Sequence, residues 1–508
     1  MRRPLLGLFA AGLLLSAGGP AAAADRVLQV VAPWDVGSLE PSRAGYVFTR
    51  LEVAETLVGA RPDGTLLPAL ARHWSASDDA LSWRFVLRDA RFHDGTPVTA
   101  AVVIQALTRA RAQPGPLGTV PLTGIEADGA DAVIIRLSTP FAALPAFLAH
   151  YSTQVLAPAS YDAAGATQFV IGSGAYRVTG LGLPLRVDLT RNEAWSGGPV
   201  PAITRVSYLG TARAEARALM ADSGQADLAF TLDPPSMARL RRNAAVQVEA
   251  TPIPRVELLK LNAGSPLFAD ARVRRAVSLG LDRAGIARAI LGNPGAAATQ
   301  MFPPSLAEWH VPALPPLGRD KAEAARLLAA AGWLPGPDGV LRKDGRPFRA
   351  TLRTYADRPE LPVVAAAIQD QLRGLGLDIA VSVVNSSEVP AGHKDGTLDM
   401  ALIARNFGLV PDPLGTVLQD YSAPGGDWGT MGWSDAGMQA ALDGLRGETR
   451  PEARAGLRAA VATILQRDLP VIPVAWYDHT LASSKRLSHV VLDPFELSYN
   501  ISAMRWAP

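Results

Sequence analysis

Trp83-Arg84-Phe85-Val86-Leu87-Arg88 alternates apolar and polar side chains, which is the period of a half-buried strand. Short apolar runs bounded by turn residues predict further strands at Val27–Ala32, Ala132–Leu137, Arg255–Asn262, Asp378–Val384, Leu398–Ile403 and Val471–Val474. Helical spacing governs the stretches between them. Thr99 reads as the cap of a helix over Ala101–Arg111. Asp270 reads as the cap of another, on which Val273, Ala276, Val277 and Leu281 share a face and Arg272, Arg274 and Arg275 take the solvated side. Helices are also expected over Leu51–Leu57, Ala214–Met220, Asp320–Gly332, Leu361–Leu375 and Glu452–Leu465, with one more opening at Asp412-Pro413. Residues 33–46 read as loop, and 112–128, 292–316 and 333–349 are Pro/Gly-rich connections. The mixed order of strands and helices is that of an α/β chain. Its middle is distinctive. The strand Arg255–Asn262 closes on Asn262-Ala263-Gly264-Ser265-Pro266 and runs straight into the Asp270 helix, as a chain does when it leaves one domain through a hinge and enters another.

Length makes that reading concrete. A chain of 508 residues exceeds what one core supports, so two or three domains are expected. With 48% hydrophobic and 19% charged residues it is globular and not disordered. A net charge of +2, spread along the chain, gives no electrostatic case for a nucleic-acid partner. Arg2 and Arg3, the apolar run Leu5–Leu15 and Ala22-Ala23-Ala24 compose a secretory signal peptide over residues 1–24, with Asp25 as the first mature residue. The chain contains no cysteine, so it has no disulfide, no thiolate nucleophile, no Cys-bound metal and no acceptor for a lipid at the cleavage site.

The remaining chemistry is sparse. None of His73, His93, His150, His310, His393, His479 and His489 lies three or four residues from another, so none forms a helical metal pair. Gly172-Ser173-Gly174 lacks the spacing of a nucleophile elbow, and Asp78-Asp79 sits in a turn. Nothing asks for catalysis, a metal or a cofactor. A secreted hydrolase, the rival from another class, needs a nucleophile–base or carboxylate pair that no motif supplies.

Residues 66–104 resemble a block of the oligopeptide/dipeptide/nickel family of periplasmic solute-binding proteins, family 5. They carry Pro68, Leu70, Trp74, Ser77, Trp83, Leu87-Arg88 and Phe92-His93-Asp94-Gly95-Thr96-Pro97 in the family's order. Asp79-Ala80, Ala90 and Val102 depart from it. Gly172–Arg177, Arg191-Asn192-Glu193, Ala331-Gly332-Trp333 and the mid-chain Asn262, Pro266-Leu267-Phe268, Asp270, Arg272–Val277 and Asp282-Arg283 are similar to other family motifs.

The resemblance implies an α/β, two-lobed periplasmic-binding-protein fold of type II with the ligand cleft between lobes. Lobe one would comprise residues 25–258, with an inserted subdomain about 53–177. Lobe two would be 259–484, and 485–508 would return to lobe one. The implied function is capture of a peptide or peptide-like solute and its delivery to ABC permease subunits in the inner membrane by a monomeric, periplasmic, non-lipidated protein. Binding of a nickel or other metal chelate, or a metallophore, is the alternative.

The family's cleft lining, carried over to this chain, implies Arg43, Tyr46, Tyr151 and Gln154 from lobe one, and Phe407, Asp412, Tyr421, Trp428 and Trp433 from lobe two. Each has a plainer reading as well: Asp412 as a helix cap, Phe407 as core, Arg43 and Tyr46 as loop residues, Tyr151 and Gln154 as packing. Trp428 and Trp433, set among glycines, read as displayed rings. Gln154 stands where nickel-binding relatives place an arginine, and Asp412 is the only carboxylate where peptide-binding relatives hold an amine.

Overall fold

The computed structural model describes residues 26–62, 64–113, 115–356, 358–408, 410–423, 425–448 and 450–507. The expected signal peptide and Asp25 lie outside the described residues. A ten-stranded sheet organises the chain. In chain order its strands are β1 (Val27–Ala32), β2 (Tyr176–Gly182), β3 (Arg186–Arg191), β4 (Arg205–Gly210), β5 (Leu228–Phe230), β6 (Val246–Leu261), β7 (Arg349–Tyr355), β8 (Asp378–Val384), β9 (Met400–Asn406) and β10 (Val471–Ser484). They lie in the order β8-β7-β9-β6-β10-β5-β1-β4-β3-β2. Strands from 27–230 thus form one half and strands from 349–406 the other. Two long antiparallel strands, β6 outward and β10 back, join the halves.

Each of these two strands serves both halves. The start of β6, Val246 to Pro252, pairs with Ser484 to Asp478 of β10, and its end, Val256 to Lys260, pairs with Trp476 to Val471. The register breaks between Pro252 and Val256 and again between Glu257 and Leu258. Pro252 and Pro254 lack the N–H a ladder needs, so the sheet is weakest where the halves meet. β1, β4 and β5 run parallel on one side, and β7, β8 and β9 run parallel on the other. Their carboxyl ends therefore open onto the junction, where α/β sheets place ligands.

The remaining elements cover this frame. A four-stranded sheet of 71–76, 82–87, 122–127 and 132–137 is inserted between β1 and β2. After β10 the chain packs Leu487, Leu492, Tyr499, Ile501 and Met504 into the core around Leu28, Phe48, Tyr176 and Tyr208, so the tail belongs with β1. No helix among the described residues is long and apolar enough to cross a membrane.

Two local expectations need correction. The first helix, α1, spans Pro41–Arg50 and buries Ala44, Val47 and Phe48. The stretch expected to be helical, Leu51–Leu57, is where it stops. Glu52 adopts φ 57°, and its carboxylate accepts from Ser498 and the Ser502 N–H, which fixes the turn. Arg274, expected to be solvated, is buried and donates to the carbonyls of Phe268, Ala269 and Asp468, while Asp270 caps the Arg272 N–H as expected.

Candidate functional site: the cleft at the strand ends

A cavity of about 700 Å³ lies between the two sheet halves. From the first half it is lined by the loop after β1, including Trp34 and Asp35, and by Arg43 and Tyr46 of α1. From the second half come Tyr355, Arg358, Ala404 and Trp428.

The first wall is rigid for identifiable reasons. The Val36 N–H donates to the Pro184 carbonyl at 2.6 Å, and the Tyr208 hydroxyl donates to the Trp34 carbonyl at 2.7 Å. The buried Arg50 guanidinium lies 4.0 Å from the centre of the Trp34 ring and 5.3 Å from that of Tyr46, a cation–π arrangement that fixes both rings. Tyr46 meets Trp34 edge-on at 6.3 Å and Tyr151 at 5.6 Å. Burial pushes the Tyr46 phenol above its ordinary range, so it stays a neutral hydrogen-bonding group.

The second wall is built on the end of β7 and on the loop carrying Trp428. Trp428 stands edge-on to Tyr355 at 6.2 Å, and the Tyr355 hydroxyl accepts from the Ala404 N–H. The loop itself is braced from below. Lys260 of β6 is wholly buried, donates to the Asp427 carbonyl at 2.7 Å and contacts Nδ1 of His393. Burial pushes the Lys260 ammonium down to about 7 against the pull of Asp420 and Asp427.

Of the residues expected at the site, Arg43, Tyr46 and Trp428 meet in this cleft. Tyr151 stands one layer back, its ring between His150 and Tyr46. Gln154 is buried and donates to the Gly45 carbonyl at 2.7 Å and to the Thr49 hydroxyl, so it holds α1 in place. The other four line no part of the cleft. Phe407 is wholly buried against Phe302, and Tyr421 is buried under its own helix, α2 (Leu414–Tyr421). Asp412 accepts from the Leu414 N–H at 2.9 Å and from Arg454 at 3.2 Å, the capping role, and borders a separate cavity of about 380 Å³. The Trp433 indole donates to Asp468 at 3.3 Å.

The glycines explain the second tryptophan. A Cβ on Gly429 would lie 2.1 Å from the Asp420 carbonyl oxygen, and one on Gly432, at φ +64°, would lie 2.4 Å from Gly264 N. These glycines let backbones touch and do not put rings on display. Sequence reasoning missed Trp34, Tyr355 and Arg358. The ends of the parallel strands β1 and β7, at or just before these residues, were the available signal.

The arrangement offers aromatic surfaces with a guanidinium on each wall and one carboxylate, Asp35. Among the described residues, no group of three or more His, Cys, Asp or Glu could hold a metal ion.

Comparison with known proteins gives the class. The family profile described as bacterial extracellular solute-binding proteins, family 5, matches residues 65–428. The chain belongs to this family, whose members are binding proteins of transporters and not enzymes. It is 26% identical over 431 residues to the nickel-binding periplasmic protein of Escherichia coli K12, covering 81% of this chain and 80% of that protein. It is 24% identical over 500 residues to the glutathione-binding protein GsiB of Shigella dysenteriae serotype 1, covering 95% of each. Among solved structures, NikA from Brucella suis in complex with Fe(III)-EDTA matches with a TM-score of 0.85 at 24% identity, over 95% of this chain and all (100%) of that one. AppA from Bacillus subtilis in complex with a nonapeptide matches with a TM-score of 0.81 at 18% identity, over 95% and 99% of the two chains.

Proposed function

We propose that this protein is the periplasmic solute-binding component of an ABC importer and captures a peptide or peptide-like solute bearing a carboxylate. The observation that carries the reading is the pair Arg43 and Arg358 on opposite walls of a ring-lined cavity of about 700 Å³. A carboxylate gains charge-assisted hydrogen bonds from guanidinium groups, and Trp34, Tyr46 and Trp428 bury apolar parts at low entropic cost. Because the groups come from both sheet halves, a ligand between them favours closure about β6 and β10. Lobe one is residues 25–258 with 485–508, and lobe two is 259–484, the crossing strands being shared. The protein is exported by its signal peptide, acts as a non-lipidated periplasmic monomer and hands its solute to permease subunits in the inner membrane.

A metal chelate is the second reading. The same two arginines suit a carboxylate-rich chelator, and with no cluster of metal-binding side chains among the described residues a metal would arrive wrapped.

Native mass spectrometry of freshly purified periplasmic protein identifies a co-purified solute, and calorimetry then measures its binding. Trp428→Ala is expected to weaken that binding 10- to 100-fold, of the order of a lost ring contact (~1.5–3 kcal/mol), while Trp433→Ala leaves it within about twofold. Equal affinity of Trp428→Ala and the parent overturns the assignment of this cleft. Turnover of the solute overturns the binding-protein reading.

A further inference from the structure

A second cavity, of about 280 Å³, lies beside the cleft and is not used by the reading above. Glu257, Glu360, Asp478 and Tyr477 form its polar side, and Leu232, Met237 and Leu291 belong to its apolar side. Leu232 and Met237 follow β5 in the first half, and Leu291 and Glu360 belong to the second. This cavity therefore bridges the halves as the cleft does.

Its position relative to the cleft follows from strand register. Glu257 on β6 is directly opposite Ala404 on β9. Directly opposed residues point to the same face of a sheet. Ala404 lines the cleft, so Glu257 faces the same way. Arg358 lines the cleft two residues before Glu360 and lies 5.7 Å from the ring centre of Tyr477, which lines the second cavity, so the two spaces adjoin at the Arg358–Tyr477 contact.

The polar side is unfinished. Glu257 is 1% exposed, yet its Oε2 receives no hydrogen bond from any N–H or hydroxyl among the described residues, and neither does Oε1 of Glu360. The two carboxyls lie within hydrogen-bonding reach of each other, a contact that exists only while one carries a proton. Burial and the neighbouring carboxylate hold Glu257 well above the ordinary range. The other charged groups nearby are Arg358 and Arg255, Glu496 beyond them, Asp478, whose Oδ2 accepts from Asn293, and the exposed Arg241 at the rim. A cation placed between the two carboxylates would displace the shared proton and leave the local net charge unchanged.

We propose that this cavity is a subsite for a cationic side chain of the transported solute, a primary ammonium or guanidinium on an aliphatic stem. The stem lies along Leu232, Met237 and Leu291, and the head is held between Glu257 and Glu360. This rests on the reading of the protein as a binder of peptide-like solutes and narrows it. Binding such a solute releases a proton.

The test is calorimetry at pH 7 in two buffers of different ionisation enthalpy. The probes are Ala-Lys-Ala, Ala-norleucine-Ala, Ala-Glu-Ala and pentane-1,5-diamine. Ala-Lys-Ala is expected to bind the parent protein at least tenfold tighter than the norleucine peptide, with a buffer-dependent heat that reports proton release. Glu257→Gln and, independently, Glu360→Gln are expected to abolish the preference and the buffer dependence while norleucine-peptide affinity stays within threefold. Equal affinity for the lysine and norleucine peptides in the parent overturns the subsite and leaves the peptide reading standing. If all three peptides fail but the diamine still binds in a Glu257-dependent way, the subsite stands and the peptide reading falls. Silence from all four probes overturns both.

Discussion

Carboxyls of two kinds gather around the crossing strands, and they settle their charge in opposite ways. Glu496, from the tail, is 5% exposed and enclosed by arginines. Arg255 of β6 pairs with one of its oxygens, and Arg50 lies 3.5 Å from the other and donates from Nε to the Glu496 carbonyl at 2.7 Å. Burial alone would raise such a carboxyl, but Arg255 and Arg50, aided by His479 and Arg358, hold it well below its ordinary range. Glu257 is buried as deeply and Glu360 is half-buried; Arg358 acts on both and Arg255 on Glu360, but each has the other as its close neighbour, and there the proton stays. The lesson is that burial does not decide ionisation; the nearest partner does. A carboxylate surrounded by donors is a clamp, here fastening the tail to α1 and β6. A carboxyl pair short of donors keeps a proton between its members.

The largest effect expected from breaking this contrast is on the clamp. Glu496→Gln leaves Arg50 and Arg255 buried without a counter-charge, and removing one member of a buried pair costs about 3–5 kcal/mol. Urea unfolding should show a loss of that size. A loss below about 1 kcal/mol would mean that the arginines find other partners and that the tail is not clamped through Glu496.

The next effect is on acid stability. His479 is 2% exposed, stacked on Phe230, and burial pushes its imidazole down to about 4. The folded value lies below the unfolded one, near 6.5. The unfolded chain therefore takes up the proton first, and stability present above pH 6.5 drains away as pH falls toward 4. The slope is about 1.4 kcal/mol per pH unit for one group, so roughly 3 kcal/mol across that window. Glu496 shares the sign. Its folded value is depressed, so its contribution is present above the unfolded carboxylate range and is lost as pH falls below it. Stability measured from pH 7 to 4 should fall less steeply in His479→Gln than in the parent. Parallel curves would show that His479 charges without cost.

How far this was legible in the sequence depends on the range of the interaction involved. The Asp270 cap is local, and the strand over 378–384 is a run of alternating residues; both were readable. β6 was readable only from Arg255. Its first part, with Gln247, Glu249, Pro252 and Pro254, carries breakers and polar residues that a strand tolerates only when β10 pairs with it. α1 was placed too late because the groups that hold Glu52 and end the helix come from Ser498 and Ser502, some 450 residues away. In the cleft, Arg43, Tyr46 and Trp428 came through a resemblance in loops. Phe407 and Asp412 sit in a similar loop, but Phe407 turns into the core and Asp412 toward Leu414 and Arg454, while Tyr421 is carried inward on α2; which side of a turn or helix a residue takes is set by its packing. Arg358 was missed because its place is set by where β7 ends beside β9.

The smallest effect sharpens the contrast from the other side. Glu257→Gln replaces a carboxyl that already shares a proton with Glu360 by a neutral group of the same shape. The amide can donate to Glu360 where the acid did, so no charge is stranded, and below the ordinary carboxylate range the cost should be under about 1 kcal/mol. The pH dependence then carries the information. Glu257 has a folded value above its unfolded one, so the native protein keeps a proton that the unfolded chain releases once pH exceeds the ordinary carboxylate range. Its stabilising contribution is full below that range and is lost as pH rises toward the folded value, opposite in sign to Glu496 and His479. Parent stability should therefore sag relative to Glu257→Gln as pH rises above the ordinary carboxylate range, by up to about 1.4 kcal/mol per pH unit where the pair alone titrates. The difference between parent and Glu257→Gln unfolding free energies, plotted against pH, isolates this group from the histidines. A flat difference would mean that Glu257 is ionised throughout, with Arg358 holding it as Arg255 holds Glu496, and the contrast between the two sets of carboxyls would collapse.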